Sequence, residues 1–340
     1  MGQLETRQYG KTGERATVLG LGGGSLNKYS YDDGVATVRH ALELGVTYFD
    51  TSVLYGHGLT GYGTGASQVI LGEALEGRPE SYMLATKVGH FSAPARYRSA
   101  DAIRTQIDES LRLLRRDSVD VLQIHEADWH WWWTDKPPQD MGSPLDRGYD
   151  YAGSPVMEVL REARAGGLCR SIGITANSSD TLGQVLSRVD VDACLCAYDY
   201  SVFRRGVRRD LLPLARDGGT AVILGGIFQG YQGSVFSPHP VTPTPVWSLL
   251  TIDQKWLASN AAWMSADLRA GAETLYSLQR ESGMSMLELV MRYMLGDRGI
   301  STLLIGAASP SEIEQSVRAA EKGPLPADLH QAIEVLGDRV

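Results

Sequence analysis

Asp50, Tyr55, Lys87 and His125 each stand at, or just after, the end of a short apolar run, and their types together suit proton transfer. A tyrosine titrating at about 10 acts as acid or base near neutrality only if something lowers its pKa. A buried ammonium beside the phenol would stabilise the phenolate, a carboxylate would hold that ammonium charged, and an imidazole could orient a carbonyl oxygen. Taken singly, each residue has a plainer reading. Asp50 could cap a turn, Tyr55 pack a loop, Lys87 sit at the surface and His125 be a satisfied core histidine. It is the joint placement that points to a site.

The elements that would position them follow from the hydrophobic pattern. Continuous apolar runs at 17–22, 46–51, 82–88, 119–125, 171–175, 193–200, 220–225 and 301–306 read as buried strands. Helical periods lie between them: Ile103, Ile107, Leu111 and Leu114 share one face of 99–115, and Val35, Val38 and Leu42 share one face of 32–44. Strands alternating with helices imply parallel strands and right-handed crossovers, and eight such units predict a closed α/β fold, the (β/α)8 TIM barrel. Residues before 17, with Gly10 and Gly13 as turn signals, predict a β-hairpin outside it. Catalytic groups of such barrels gather where the strands' C-terminal ends meet their loops. Asp50, Lys87 and His125 follow strands two, three and four, so their separation in sequence is no obstacle to contact.

With 340 residues, of which 43% are hydrophobic, the chain can bury one large core, and a single barrel domain over 1–340 is expected. The formal net charge of -8 argues against nucleic acid as a partner, because phosphate neutralisation needs clustered lysine and arginine. The short basic stretch Arg204, Arg205, Arg208 and Arg209 reads as a solvated helix start. Cys169, Cys194 and Cys196 offer no even disulfide framework. The opening MGQLETRQYG lacks the apolar core of a signal peptide, and no apolar run approaches the ~20 residues of a membrane span. A soluble cytoplasmic protein is the expectation.

Two connections exceed the short-loop norm, residues 127–154 and 227–262, and loops of that length usually act as lids or binding loops. All seven tryptophans lie in them or just past them. Trp129, Trp131, Trp132 and Trp133 flank His130 in the first; Trp247, Trp256 and Trp263 belong to the second. They could pack the loops internally, or Trp129, Trp131, Trp132, Trp133 and Trp256 could form a flat wall for an apolar ring or a sugar face. The two readings are compatible.

The string FDTSVLYG (Phe49 to Gly56), Lys87 in LATKVG, His125 in VDVLQIHEAD and the strand SIGIT (Ser171 to Thr175) resemble the aldo-keto reductases, with matching units from about Val18 to Ala320. The resemblance implies a (β/α)8 barrel that binds a nicotinamide cofactor across its C-terminal mouth without a Rossmann domain. GLGGGS (Gly20 to Ser25) is accordingly not a dinucleotide fingerprint, since it lacks the G-x-G-x-x-G spacing followed by a helix. Carried over by position, Tyr55 would be the acid in carbonyl reduction and the base in alcohol oxidation. Lys87 would lower its pKa, Asp50 would hold Lys87, and His125 would hydrogen-bond the substrate oxygen. Hydride passes directly between nicotinamide and substrate, so no metal is needed and none is suggested.

The resemblance places cofactor contacts after strands five to eight. Thr175-Ala176-Asn177 stands where many members carry a Ser-Asn pair, with Thr175 able to replace the serine. Ala197 replaces a strand-six glutamine, and Leu224 or Gly225 a stacking tyrosine, so contacts would be rebuilt by Tyr198 or Tyr200 and by Gly226, Phe228, Gln229 and Gly230. After strand eight, Gly306, Ala307, Ser309, Glu312 and Gln315 would carry the rest. Gly306 and Glu312 occupy positions where NADPH-preferring relatives place a lysine and an arginine. Ser309-Pro310-Ser311-Glu312 is also a capping box, sufficient in itself to explain Glu312. The cofactor is NAD or NADP, with NAD favoured.

SIGIT, VDACLCAYDYSVF and VILGGIFQG look most like the branch of sugar and pyridoxal dehydrogenases that act on compounds such as L-fucose, L-galactose or D-threo-aldose. The implied function is an NAD(P)-dependent oxidoreductase acting on the carbonyl, hemiacetal or alcohol carbon of a small sugar-like substrate. One alternative is a cofactor-sensing regulatory subunit on the same barrel, with tight cofactor binding and negligible turnover. Another is an aldolase in which Lys87 forms a Schiff base, needing no nicotinamide.

Overall fold

A computed structural model describes residues 3–56, 65–78, 80–228 and 266–337. The chain opens with an antiparallel hairpin of β1 (Thr6–Gln8) and β2 (Arg15–Thr17). Eight parallel strands then close on themselves: β3 (Leu19–Gly22), β4 (Tyr48–Asp50), β5 (Met83–Val88), β6 (Val119–Ile124), β7 (Cys169–Ala176), β8 (Ala193–Ala197), β11 (Ala221–Gly225) and β12 (Thr302–Ile305), with β12 pairing back to β3. A two-stranded ladder of β9 (Tyr200–Ser201) and β10 (Arg204–Arg205) lies outside the barrel. The architecture is the expected (β/α)8 TIM barrel.

The surrounding helices begin where the sequence supplies caps. Ser30, Ser99, Ser178, Ser285 and Ser309 each accept a backbone N–H from the third residue on, starting α1 (Tyr31–Glu43), α3 (Ala100–Leu114), α5 (Ser179–Leu186), α8 (Met286–Leu295) and α9 (Pro310–Glu321). A serine cap contributes about 1 kcal/mol. The apolar faces of these helices, such as Ile103, Ile107, Leu111 and Leu114, pack on the outward residues of the strands.

Alternation along each strand sends the other residues inward. Tyr48, Met83, Ala85, Val121, Leu195, Ile223 and Leu304 form a separate inner core, and Tyr9 from the hairpin completes it, its hydroxyl 3.1 Å from that of Tyr48. Above that apolar layer, β4, β5 and β6 place Asp50, Lys87 and Gln123 in register, Asp50 opposite Ala85 and Lys87 opposite Gln123. The sequence pattern therefore positions a polar layer on top of an apolar one.

Two expectations need correction. The run 193–200 is not one strand: β8 ends at Ala197, because Tyr198 takes a left-handed φ of 71°. Its ring lies against Gly226, where a Cβ would meet Tyr198 Cδ1 at 2.4 Å, so only glycine fits there. The basic stretch is not simply solvated. Arg205 is buried, donates to the Ser201 carbonyl and lies over the Tyr293 ring, while Arg208 donates to Glu334 at 2.9 Å and to Asp297 at 3.3 Å. Cys169, Cys194 and Cys196 are buried free thiols. Among the described residues no helix is long and apolar enough to cross a membrane.

Candidate active site

The four residues singled out by type meet at the C-terminal mouth. Lys87 Nζ donates to Asp50 Oδ1, to the Thr51 carbonyl at 3.0 Å and to the Tyr55 hydroxyl at 3.4 Å. His125 presents its ring edge-on to Tyr55, centroids 5.6 Å apart. Its Nδ1 lies 2.9 Å from Ser52 Oγ, and where that hydroxyl donates, Nε2 keeps the ring proton. Lys87 and Asp50 are each 1% exposed, whereas Tyr55 is partly open to the mouth.

Burial dominates the electrostatics. It pulls the Lys87 ammonium down and pushes the Asp50 carboxyl up, each opposed by the other's charge. Desolvation, with His90 and Lys87 nearby, holds His125 far below its usual range, so the imidazole is neutral. The phenol of Tyr55 is pushed up by burial and by the carboxylates of Asp50 and Glu126. The net direction in the free protein is thus opposite to the expected lowering, and Tyr55 holds its proton; the Lys87 ammonium, 3.4 Å from the hydroxyl, is the neighbour that favours the phenolate. The arrangement can donate a proton to an oxygen in the mouth, and a neutral imidazole beside it can donate a hydrogen bond to the same oxygen.

Four further polar groups belong to this site and were not singled out from sequence. Gln123 donates to the second Asp50 oxygen at 3.1 Å; its position two before His125 on β6 was a readable signal, since alternate residues share a face. Ser52 orients His125. His90 and Glu126 have left-handed φ values of 55° and 56°, Glu126 lines the inner hollow at the mouth, and nothing in the sequence marks those angles. The His90 ring lies 4.4 Å from that of His125.

Two connected hollows open at this layer. An inner pocket of about 90 Å³ is lined by Tyr55, Lys87, His125, Glu126, Thr175, Asn177, Ala197 and Tyr198. A wider cleft of about 390 Å³ runs from Tyr55 and Tyr198 past Gly22, Gly24, Ser25, Gly225, Gly226 and Phe228 to Gly306. A Cβ at Gly24 would meet nothing within 4 Å, and one at Gly22 or Gly225 would make only ordinary contact. Open backbone of this kind admits a flat or phosphorylated ligand close to the chain, so these residues fit a nicotinamide cofactor.

The expected cofactor residues divide accordingly. Thr175, Asn177, Gly226, Phe228 and Gly306 line the hollows. Ser309 caps α9, and Glu312 accepts from Ala308 N–H at 2.8 Å and from the Tyr29 hydroxyl at 3.0 Å. The side chain of Ala307 is buried, leaving only its backbone to contribute, and Gln315 is exposed on α9. Tyr200 is withdrawn: it is buried, and its hydroxyl donates to Asp297 at 2.6 Å, at the N-terminal side of β12, away from the mouth. Tyr198 takes its place. Gln229 and Gly230 lie outside the described residues.

The first tryptophan loop divides as well. Trp132 and Trp133 are buried in the core and donate their indole N–H groups to the carbonyls of His125 and Ala127, so they support the site from behind and cannot form a substrate wall. Trp129 and Trp131 stay partly exposed and stack on each other at 5.1 Å with planes 6° apart. Trp247, Trp256 and Trp263, with nearly all of the second loop, lie outside the described residues.

Comparison with known proteins agrees with this geometry. Residues 18–338 match the profile of the Aldo/keto reductase family. The chain is 30% identical over 332 residues to L-galactose dehydrogenase of Arabidopsis thaliana, covering 94% of this chain and 89% of that one. It is 25% identical to pyridoxal 4-dehydrogenase of Microbacterium luteolum, covering 92% of each. In structure it is similar to an aldo-keto reductase from Bacillus halodurans in its holo form, with a TM-score of 0.69, 24% identity and coverage of 99% of this chain and 98% of that one. Over nearly its whole length the chain is thus matched by sequences of one kind, and it belongs to the aldo/keto reductase family of oxidoreductases.

Proposed function

We propose that this protein transfers hydride between a nicotinamide dinucleotide and the carbonyl, hemiacetal or alcohol carbon of a sugar-like compound, with Tyr55 as the proton carrier. The observation that carries the reading is the contact chain Asp50–Lys87–Tyr55 beside neutral His125, opening onto the glycine-floored cleft. When bound there, the nicotinamide supplies or accepts the hydride. Thr175 and Asn177 would hold its carboxamide end, Gly226, Phe228 and Tyr198 would line its path, and Gly306, Ser309 and Glu312 would meet the remainder. Tyr55 gives its proton to the substrate oxygen in reduction and takes it in oxidation. Lys87 steadies the phenolate between these steps, Asp50 holds Lys87 charged, and His125 donates to the same oxygen.

A sugar-like substrate is supported by relatives named L-galactose dehydrogenase and pyridoxal 4-dehydrogenase and by the partly exposed Trp129, whose ring stacks on Trp131 and whose indole N–H donates to the pocket-lining Glu126. Lys87 has its donor directions taken by Asp50, Thr51 and Tyr55, which disfavours a Schiff base. The test is the absorbance of reduced nicotinamide when the purified protein meets aldoses and pyridoxal with NAD and then with NADP. Turnover supports an oxidoreductase; cofactor binding with silence across the panel supports the regulatory alternative.

NAD is the favoured cofactor, because the Glu312 carboxylate opposes a 2′-phosphate even while it caps α9. Glu312→Arg is expected to raise the NADP-to-NAD ratio of kcat/KM by about tenfold or more, the scale of one charge-assisted hydrogen bond. An unchanged ratio in steady-state assays with both cofactors would leave Glu312 as a helix cap alone.

A further inference from the structure

Glu126 is a buried carboxyl without a permanent cation. Its Oε2 accepts the Trp129 indole N–H at 2.6 Å, its Oε1 accepts the Asn177 amide at 3.2 Å, and His90 Nε2 lies 3.3 Å from Oε2. It is 6% exposed. Burial, with Asp128 adding to it, pushes its carboxyl up to about 7. A glutamine would fill the same space without the cost of burying a charge, so the carboxyl calls for a role beyond packing. The left-handed turn at residue 126 aims it into the inner pocket, which it lines together with Tyr55, Lys87 and His125.

A carboxylate carries about four lone-pair sites; Trp129 takes one on Oε2, where His90 Nε2 also stands, and Asn177 takes one on Oε1, so unused capacity remains on Oε1. Glu126 lines a pocket of about 90 Å³, room for only a few heavy atoms. An oxygen held by Tyr55 and His125 there brings the substituent of the neighbouring carbon beside Glu126. We propose that Glu126 is a specificity-determining residue that accepts a hydrogen bond from the hydroxyl on the carbon next to the reacting one, which makes α-hydroxy carbonyl compounds and their cyclic hemiacetals the substrate class. The proposal rests on the reading of Tyr55 as proton carrier and goes beyond it by assigning what the substrate must carry.

The test compares 2-hydroxypropanal with propanal, which differ only in that hydroxyl, in wild type, Glu126→Gln and Glu126→Asp, with NADH and NADPH as reductants. In Gln the one amide oxygen is claimed by Trp129 or Asn177, whereas Asp keeps both oxygens on a shorter arm. Assayed above pH 7, where the Glu126 carboxyl is ionised, wild type is expected to prefer 2-hydroxypropanal by about ten- to hundredfold in kcat/KM, the range of a hydrogen bond to a charged group. Glu126→Gln is expected to remove most of that preference and Glu126→Asp to keep part of it, with thermal melts checking that both variants fold. Equal use of the two aldehydes by wild type would overturn the role of Glu126 while leaving the oxidoreductase reading intact. A uniform loss on both aldehydes in Glu126→Gln, with weakened cofactor binding by fluorescence titration, would also overturn it and make Glu126 a support for Asn177. Reduction of neither aldehyde by wild type would count against the parent reading instead.

Discussion

Replacing Tyr55 with phenylalanine is expected to lower kcat by about 10² to 10⁴-fold, the usual contribution of a positioned general acid. The substitution removes one oxygen and leaves the ring, its edge-on contact with His125 and the Lys87–Asp50 pair in place. Cofactor affinity should change little, because the phenol acts on the substrate oxygen. Stopped-flow or steady-state absorbance of reduced nicotinamide measures the first quantity and fluorescence titration the second. Wild-type turnover in the variant would remove Tyr55 from the mechanism. Loss of cofactor binding with loss of turnover would mean that the hydroxyl holds the pocket together.

Lys87→Met is expected to abolish turnover and also to destabilise the fold by about 3–5 kcal/mol, because it strands the ionised Asp50 in the barrel interior with Gln123 as its remaining side-chain donor. The sign of the pH effect follows from the direction of the Asp50 shift. Burial already holds that carboxyl above its unfolded value, and losing the ammonium raises it further. A raised carboxyl binds its proton more tightly when folded, so the deficit should shrink on acidification and grow as pH rises through the folded pKa. Urea denaturation at several pH values measures this. Asp50→Asn in the Lys87→Met background should recover much of the stability and none of the activity. A double variant as unstable as the single one would show that packing, and not the uncompensated charge, sets the cost.

The polar layer was legible because its residue types are costly to bury and stand at strand ends. Asp50, Lys87 and His125 interrupt apolar runs just where the barrel rim must lie, and the runs themselves located all eight barrel strands. What escaped the sequence turns on backbone angles and on depth. Tyr198 and Tyr200 look equivalent in a β-rich string, yet a single positive φ ends the strand and sends one to the mouth and the other toward Asp297. Four tryptophans around His130 look like one wall. The tight turn His130–Trp132 instead drives Trp132 and Trp133 into the core and leaves Trp129 and Trp131 at the surface. The expected lowering of the Tyr55 pKa failed for a different reason. Residue types announce a nearby ammonium, but not how far burial and the carboxylates of Asp50 and Glu126 outweigh it.

The hairpin tyrosine beneath the barrel bears on how the site trades protons with water. With Tyr9 seated against Tyr48 and an apolar layer above them, the barrel is a cup stoppered at its base among the described residues, and Tyr55 faces hollows that open at its rim. A compound resting on Tyr55 stands between that phenol and the solvent. In the proposed mechanism the phenol would regain or lose its proton on the side where substrate enters and product leaves, so proton exchange with solvent and product escape would be uses of the same door.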